Sequence, residues 1–225
     1  MTFTDVMNSE REAILAEYAF TDSLFRTQIP PYSAVPIFDI LLRTPSVLRA
    51  RHPVQVDELP GKRSGYAFVQ TCPTLNYKFL WAHVDNDNYR NDYFTFAQKH
   101  HNVSGSELPE NLHVDHLFNR ERARAMQLTY IRMVLAPQDV NTSHGAGYEK
   151  SRTQGAIGRV GRERQIDEVM LMKLLGVPSP RKGKPLSGQM QHHVGRIAAQ
   201  FGLPASEIER NIRELMEVAN FRPPE

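Results

Sequence analysis

The sequence predicts an α+β fold with small antiparallel β elements, a strand–strand–helix unit in the middle of the chain and a mainly helical C-terminal part. Aromatic and β-branched runs separated by turn residues occupy much of residues 53–98, which is typical of strands joined by hairpins. A polar cluster and a further apolar run follow at 111–137. After residue 165, apolar residues recur at helical spacing.

The first hundred residues contain signals for both helix and strand. Apolar residues at helical spacing predict a helix over 8–26 with Ser9 as its N-cap, and the adjacent prolines within 28–36 end that helix. Residues 37–50 predict one short helix or two. Aromatic and β-branched runs predict three strands, at 66–72, 75–84 and 92–97.

In the rest of the chain, one predicted strand is followed mainly by helices. We expect a short polar helix at 120–127, a strand at 130–137 and a helix at 165–176 that ends at a glycine. A basic linker at 178–188 then leads to two helices around a Gly-Leu-Pro turn at 202–204. Two interpretations of this pair stay open: a helix-turn-helix, or an ordinary helical hairpin that closes the fold.

These signals divide the chain into three regions. Residues 1–105 form an N-terminal α+β region, residues 106–160 contain the strand–strand–helix unit, and residues 161–225 form a helical C-terminal region. Hydrophobic residues make up 40% and charged residues 23%, which is typical of a globular protein.

Several protein classes are disfavoured by what the sequence lacks. No apolar run approaches the roughly 20 residues of a membrane helix, and the N-terminus does not resemble a secretory signal. The single cysteine, Cys72, excludes an internal disulfide and a zinc site built on several thiolates. We therefore expect a cytoplasmic protein with no membrane partner, and the oligomeric state stays open.

Charge is distributed unevenly along the chain. Residues 1–118 contain 10 Lys and Arg against 14 Asp and Glu, a net charge of −4, whereas residues 119–225 contain 17 against 11, a net charge of +6. A basic C-terminal half suits an anionic partner such as nucleic acid. A solvated surface with a mild charge bias is the alternative.

His113, Asp115 and His116 lie within four positions of one another in a chain that has nine histidines. A carboxylate is a hard oxygen ligand for Mg²⁺ or Mn²⁺, and a neutral imidazole near pH 7 can take a proton from water. A metal ligand beside a general base is what phosphodiester hydrolysis requires. Strand alternation puts His116 opposite the other two, so Asp115 and His116 can share a site only if the strand ends or bulges there.

The residues after this cluster follow a recognisable order. His-x-Asp-His is followed by a basic segment, by the strand 130–137 and then by Asn141 with Gly145 four residues later. This order resembles the ββα-metal (His-Me finger, HNH-type) nucleases, and most of all their endonuclease VII branch of phage junction resolvases. The resemblance covers residues 111–155. Endonuclease VII-type proteins also hold a zinc ion with four cysteines, which this chain does not have.

The resemblance implies that the strand–strand–helix unit is a ββα-metal unit and that the protein is a metal-dependent endonuclease acting on DNA. By this resemblance, Asp115 and Asn141 hold one divalent cation and His116 is the general base. The expected cation is Mg²⁺ or Mn²⁺, with Zn²⁺ and Ni²⁺ as further candidates, and no organic cofactor is expected.

Supporting roles are expected for other polar residues near the cluster. His113 orients the site or contacts substrate, or it is an ordinary strand-surface histidine. His144 lies three residues after Asn141, so a shared helical face lets it reach the cation or a phosphate. Glu149 and Lys150 are expected to form a surface pair. Phosphate contacts are expected from Arg120, Arg124 and Arg152, for which a solvated helix face is the alternative.

Two further functions compete with the nuclease. The first is a non-catalytic DNA-binding protein that uses the C-terminal helix pair, which predicts that His116→Ala leaves function intact. The second is an accessory protein that binds another protein through the aromatic segment 65–98, which predicts no affinity for nucleic acid even at low salt.

Overall fold

The computed structural model describes residues 1–19, 21–22, 27–28, 32–37, 54–73, 76–105, 107–154, 161–179, 181 and 186–218. Nearly all of the helical segment predicted at 37–50 lies outside these residues, as does the centre of the basic linker at 182–185.

Helices occur in all three regions of the chain. In chain order they are α1 (Phe3–Ala19), α2 (Tyr89–His101), α3 (Arg120–Ala125), α4 (Gln138–His144), a π-helical turn (Gly145–Glu149), α5 (Lys150–Gln154), α6 (Glu168–Leu174), α7 (Gly188–Phe201) and α8 (Ala205–Val218). The strands are β1 (Thr21–Asp22), β2 (Thr27–Gln28), β3 (Tyr32–Val35), β4 (Gln55–Glu58), β5 (Ala67–Cys72), β6 (Tyr77–His83), β7 (Leu112–His116), β8 (Tyr130–Pro137) and β9 (Arg164–Gln165).

One antiparallel sheet of seven strands organises the fold. Its order is β4-β5-β6-β8-β3-β9, with β7 also paired to β8. The first half of β8 pairs with β6 and β3, whereas its second half, from Met133 to Pro137, pairs with β7. All three predicted regions contribute strands to this sheet. The combination of helices with an antiparallel sheet confirms the predicted α+β class.

Two local predictions in the N-terminal region are wrong. The run 92–97 was expected to be a strand but belongs to α2, because Tyr93, Phe96 and Ala97 recur at helical spacing and are all fully buried. The segment 28–36 was expected only to end a helix, yet it contains β3, whose burial between β8 and β9 favours extended backbone. The first helix begins earlier than predicted, at Phe3, and ends at Ala19.

Helix α1 covers the part of β8 that pairs only with β7. The Leu135 backbone N–H donates to Glu10 Oε2 (3.2 Å), and the Tyr93 hydroxyl donates to Glu10 Oε1 (2.6 Å). Burial raises the pKa of Glu10 to about 8, although both hydrogen bonds and two arginines pull it down. The carboxyl group is therefore mostly protonated at pH 7, and it links α1 to the sheet and to α2.

This buried carboxyl predicts a pH-dependent stability. A folded-state pKa above the unfolded value means that the contribution is complete below about pH 4.5 and is lost as pH rises through about 8. Each pKa unit corresponds to about 1.4 kcal/mol, so we expect the unfolding free energy to fall by a few kcal/mol between pH 5 and pH 9. Glu10→Gln should flatten this dependence in denaturant titrations, whereas Glu12→Gln, at an exposed position of the same helix, should retain the wild-type slope.

The middle of the chain forms the predicted strand–strand–helix unit. Strands β7 and β8 pair from Leu112 with Pro137 to His116 with Met133, and α4 begins directly after β8. The glycine-containing segment after α4 is the π-helical turn, which continues into α5.

The C-terminal helix pair forms as predicted. Helix α7 ends at Gly202, whose left-handed backbone (φ +63°) reverses the chain into α8. Both helices contribute to the main core, with buried side chains that include Met190, Val194, Ile197 and Ile212. This packing is what the helical-hairpin interpretation expects. Within the described residues, no helix has the length and apolarity that a membrane crossing needs.

Candidate functional site

The two faces of β7 carry different chemistry. Leu112 and Val114 point into the core formed with α1 and α2, and His116 follows them on that face. His113 and Asp115 point to the other face, where their partners come from α4 and α6. Strand β7 ends at His116, but its pairing with β8 continues without a bulge to that residue, so His116 stays on the face opposite Asp115.

Asp115 is part of a buried charge cluster. Its Oδ2 lies 2.6 Å from Lys173 Nζ, and the same ammonium lies 2.7 Å from Glu149 Oε1. Burial alone would lower the pKa of Lys173, but the two carboxylates outweigh it and raise that pKa above its ordinary value. Lys173 is therefore a fixed cation that both carboxylates share. With both carboxylates ionised, the three groups together have a net charge of −1.

His113 and Asn141 form the second contact on this face. Asn141 Nδ2 lies 3.4 Å from His113 Nδ1, so the amide can donate to the imidazole when that nitrogen carries no proton. Asn141 is the fourth residue of α4, and both side chains are half-buried. The structure thus brings Asn141 to His113, on the face of β7 that also carries Asp115.

His116 lies apart from these residues. Its ring packs against Tyr89 of α2 with 4.5 Å between ring centroids, and the side chain is 8% exposed. Burial lowers the pKa of His116 to about 3, and the positive charges of Arg120, Lys173 and Arg124 act in the same direction. The ring is therefore neutral at pH 7, and its buried Nε2 has no hydrogen-bond partner among the described residues.

His144 does not point towards a cation site. The side chain is 1% exposed, and its Nε2 lies 3.0 Å from the Val177 carbonyl oxygen, which only a protonated ring nitrogen can satisfy. Burial lowers the pKa of His144 to about 4, so the ring is neutral and donates this bond. Its spacing from Asn141 suggested a supporting role, but the ring instead connects the end of α4 to the chain after α6.

The arginines predicted to contact phosphate have different surroundings. Arg120 is paired with Asp87 (3.0 Å), and Arg124 with Asp85 (3.1 Å) and Glu121. Arg152 has no ion pair within the described chain, and its guanidinium carbon lies 5.9 Å from the centre of a tyrosine ring. Two of the three positive charges are thus already matched by carboxylates.

The side chains on the α4-facing side of β7 have suitable chemistry for a divalent cation but do not form a closed cage. An imidazole, an amide and a carboxylate, from His113, Asn141 and Asp115, are donors that Mg²⁺, Mn²⁺ or Zn²⁺ accept. Among the described residues, no group of three or more His, Cys, Asp or Glu side chains could hold a metal ion. Lys173 already contacts one oxygen of Asp115, which leaves the other for a cation.

A small cavity lies beside the Lys173 cluster. Its volume of about 20 Å³ has room for a single water molecule. Polar groups on its wall come from Asn119, Arg122, Glu149 and Lys173. Apolar contacts come from α6 and from the two residues that follow β7, Leu117 and Phe118. A water in this position would have several hydrogen-bond partners.

Two members of this region were not expected from the sequence. Glu149 was interpreted as a surface partner of Lys150, which is wrong because Glu149 pairs with Lys173. Lys173 was not singled out, although it interrupts the apolar run 169–175 on a helix whose other residues are largely buried. A lysine within such a run needs a buried carboxylate partner, and that requirement was the available signal.

Comparison with known proteins provides no relative: no family model, no curated protein and no solved structure matches the chain. What the protein does therefore has to be inferred from its own residues.

Proposed function

We propose that this protein is a cytoplasmic, metal-dependent endonuclease that hydrolyses phosphodiester bonds of DNA. One observation carries the proposal. The strand–strand–helix unit that resembles the HNH nucleases has antiparallel strands followed directly by α4, and the Asn141 side chain of that helix contacts His113 on the face of Asp115. The single cysteine is consistent with a reducing compartment.

Asp115, Asn141 and His113 would hold the divalent cation. Bound there, the cation would neutralise charge on the phosphate and on the leaving oxygen. Burial raises the pKa of Asp115 to about 6 against the pull of Lys173, so the carboxyl group is mostly ionised at pH 7. The amide of Asn141 would supply a neutral oxygen. In the reaction, a water oxygen bonds to phosphorus and one phosphorus–oxygen ester bond breaks, which leaves a phosphomonoester and an alcohol.

His116 is the proposed base that takes the proton from the attacking water. Burial lowers its pKa to about 3, so the buried ring is neutral at pH 7 but resists protonation. It becomes an effective base only when it leaves these surroundings and reaches solvent. Because its side chain lies on the opposite face of β7, catalysis requires the pair of His116 with Met133 to open. His116 is the last residue of β7, so opening there disrupts only its own pair and the backbone hydrogen bond from the Leu117 N–H to the Arg132 carbonyl oxygen (2.9 Å).

The experiment that tests the proposal is cleavage of supercoiled plasmid with Mg²⁺ or Mn²⁺, compared with EDTA. We expect nicked and linear products only with the cation. At a limiting cation concentration, Asn141→Ala should reduce cleavage at least roughly 10- to 100-fold. This is the loss typical of removing a residue that hydrogen-bonds to a metal ligand, and a ligand itself should matter no less. The matched control is Thr142→Ala, at the exposed neighbouring position of α4, which should cleave at the wild-type rate.

Cleavage that continues in EDTA, or that Asn141→Ala leaves unchanged at every cation concentration, would contradict the proposed site. Asn141 is half-buried and carries no charge, so its replacement leaves no buried ion without a partner. The variant should therefore fold, which a thermal unfolding curve can check.

A further inference from the structure

Three arginines from separate elements lie close together beside the proposed active site. Arg122 is on α3, Arg152 on α5 and Arg164 on β9. Asn119 connects the first two elements, because its Oδ1 accepts from the Arg122 backbone N–H (2.9 Å) and from the Thr153 hydroxyl (3.2 Å). The charges of Arg152 and Arg164 both act on Arg122.

Aromatic rings orient two of these side chains. The guanidinium carbon of Arg122 lies 4.6 Å from the centre of the Phe118 ring, and that of Arg152 lies 5.9 Å from the centre of the Tyr148 ring. A guanidinium held over an aromatic face keeps its N–H edge available to another ligand. Within the described part of the chain, Arg122 and Arg152 make no ion pair, and the buried Nε of each has no hydrogen-bond partner.

Among the described residues, the nearby carboxylates do not balance the charge of Arg122 and Arg152. Asp167 acts on both Arg122 and Arg152, but its carboxylate already accepts the N-cap bond of α6 from the Met170 backbone N–H (2.9 Å). Glu149, which lines the same cavity as Arg122, is held by a lysine. Burial and the neighbouring arginines together lower the pKa of Arg122 to about 10. Such a cluster costs folding free energy unless an anion occupies it.

We propose that Arg122, Arg152 and Arg164 bind a phosphate group of a nucleic-acid backbone. Guanidinium groups match the geometry of phosphate oxygens, and Arg122 and Arg152 by themselves supply more positive charge than Asp167 neutralises. Arg120 and Arg124, which flank Arg122 on α3, are already paired with carboxylates and are therefore poorer phosphate ligands. The identity of the partner rests on the proposed nuclease function, but binding itself needs neither a cation nor cleavage.

The test is binding of a fluorescent DNA duplex to the full chain in EDTA, measured over a range of salt concentrations. We expect Arg122→Gln and Arg152→Gln each to reduce affinity about tenfold, the value of one charge-assisted hydrogen bond. Each should also reduce the slope of log affinity against log salt by about 0.9, because one phosphate contact is lost. Arg120→Gln, with the same charge change on the same helix, should have a clearly smaller effect.

A second measurement separates binding from folding. Inorganic phosphate should raise the thermal unfolding temperature of the wild type but not of Arg122→Gln or Arg152→Gln. Without phosphate, both variants should be at least as stable as the wild type, since a repulsive charge is removed. Equal affinity losses for Arg122→Gln and Arg120→Gln would overturn the proposal. The proposal would also be overturned if the variants lose the stabilisation by inorganic phosphate but bind DNA as tightly as the wild type. The arginines would then bind free phosphate and not the DNA backbone.

These results are independent of catalysis. If plasmid cleavage is absent from the wild type but the arginine variants lose DNA affinity as expected, the nuclease proposal fails and the phosphate site stands. If cleavage is present and the arginine variants bind DNA like the wild type, the phosphate site fails and the nuclease proposal stands.

Discussion

Replacing His116 with alanine is expected to reduce plasmid cleavage roughly 100- to 10,000-fold while DNA affinity stays near the wild-type value. The proposed role of the ring is to take a proton from water, which a methyl group cannot do. The ring contacts Tyr89 but carries no charge at pH 7 and makes no hydrogen bond through Nε2 in the described chain. Its loss should therefore affect the rate far more than the binding of substrate.

The matched control is His113→Ala, which removes the other strand imidazole from the opposite face of β7. In our proposal His113 helps to hold the cation, so its loss should be rescued in large part by a higher Mn²⁺ concentration. His116→Ala should not be rescued in this way. If His113→Ala abolishes cleavage at every Mn²⁺ concentration and His116→Ala cleaves normally, then His113 is the base and β7 stays closed during catalysis.

The pH dependence of cleavage reports whether β7 opens. In the closed strand, burial holds the pKa of His116 at about 3, so its protonation would not limit the rate near neutral pH. If the pair of His116 with Met133 opens and the ring reaches solvent, its pKa returns towards the ordinary value of about 6.5. The cleavage rate should then decrease at pH values below about 6. The residual activity of His116→Ala should not show this decrease.

Some of this architecture could be predicted from local pattern. The strand at 130–137 and the helix pair around Gly202 follow from apolar periodicity and turn chemistry, both of which act over a few residues. The run 92–97 shows where such reasoning fails. Its aromatic residues favour a strand locally, but packing α2 against the sheet buries Tyr93 and Phe96 together only in a helix.

The candidate site was predictable only in part, because its geometry depends on contacts between residues far apart in the sequence. Motif spacing brought Asn141 and the His113–His116 segment into one unit, and the structure brings Asn141 to His113. Spacing could not reveal that Lys173, 58 positions after Asp115, would be the cation that faces it. Such a pairing is specified by the docking of α6 onto the strand–strand–helix unit, which no local pattern encodes.

Replacing Lys173 with methionine is expected to destabilise the fold by about 3–5 kcal/mol, the cost of removing one partner from a buried ion pair. The side chain is 1% exposed, and its ammonium lies 2.6 Å from Asp115 Oδ2 and 2.7 Å from Glu149 Oε1. Methionine has a similar volume, so the loss would reflect two carboxylates left without a cation rather than an empty space. Denaturant titrations of the wild type and the variant measure this difference directly.

The sign of the pH dependence identifies the cause. In the wild type, burial raises the pKa of Asp115 to about 6 although Lys173 pulls it down. Without the ammonium this pKa should rise further, so the native state of the variant binds more protons than that of the wild type and gains stability as pH falls. The deficit of Lys173→Met relative to the wild type should therefore be larger at pH 8 than at pH 5. Adding Asp115→Asn and Glu149→Gln should recover most of the lost stability, since the buried charges then disappear together. A deficit that is the same at both pH values, or that the added substitutions leave in place, would mean that Lys173 acts through packing rather than through its charge.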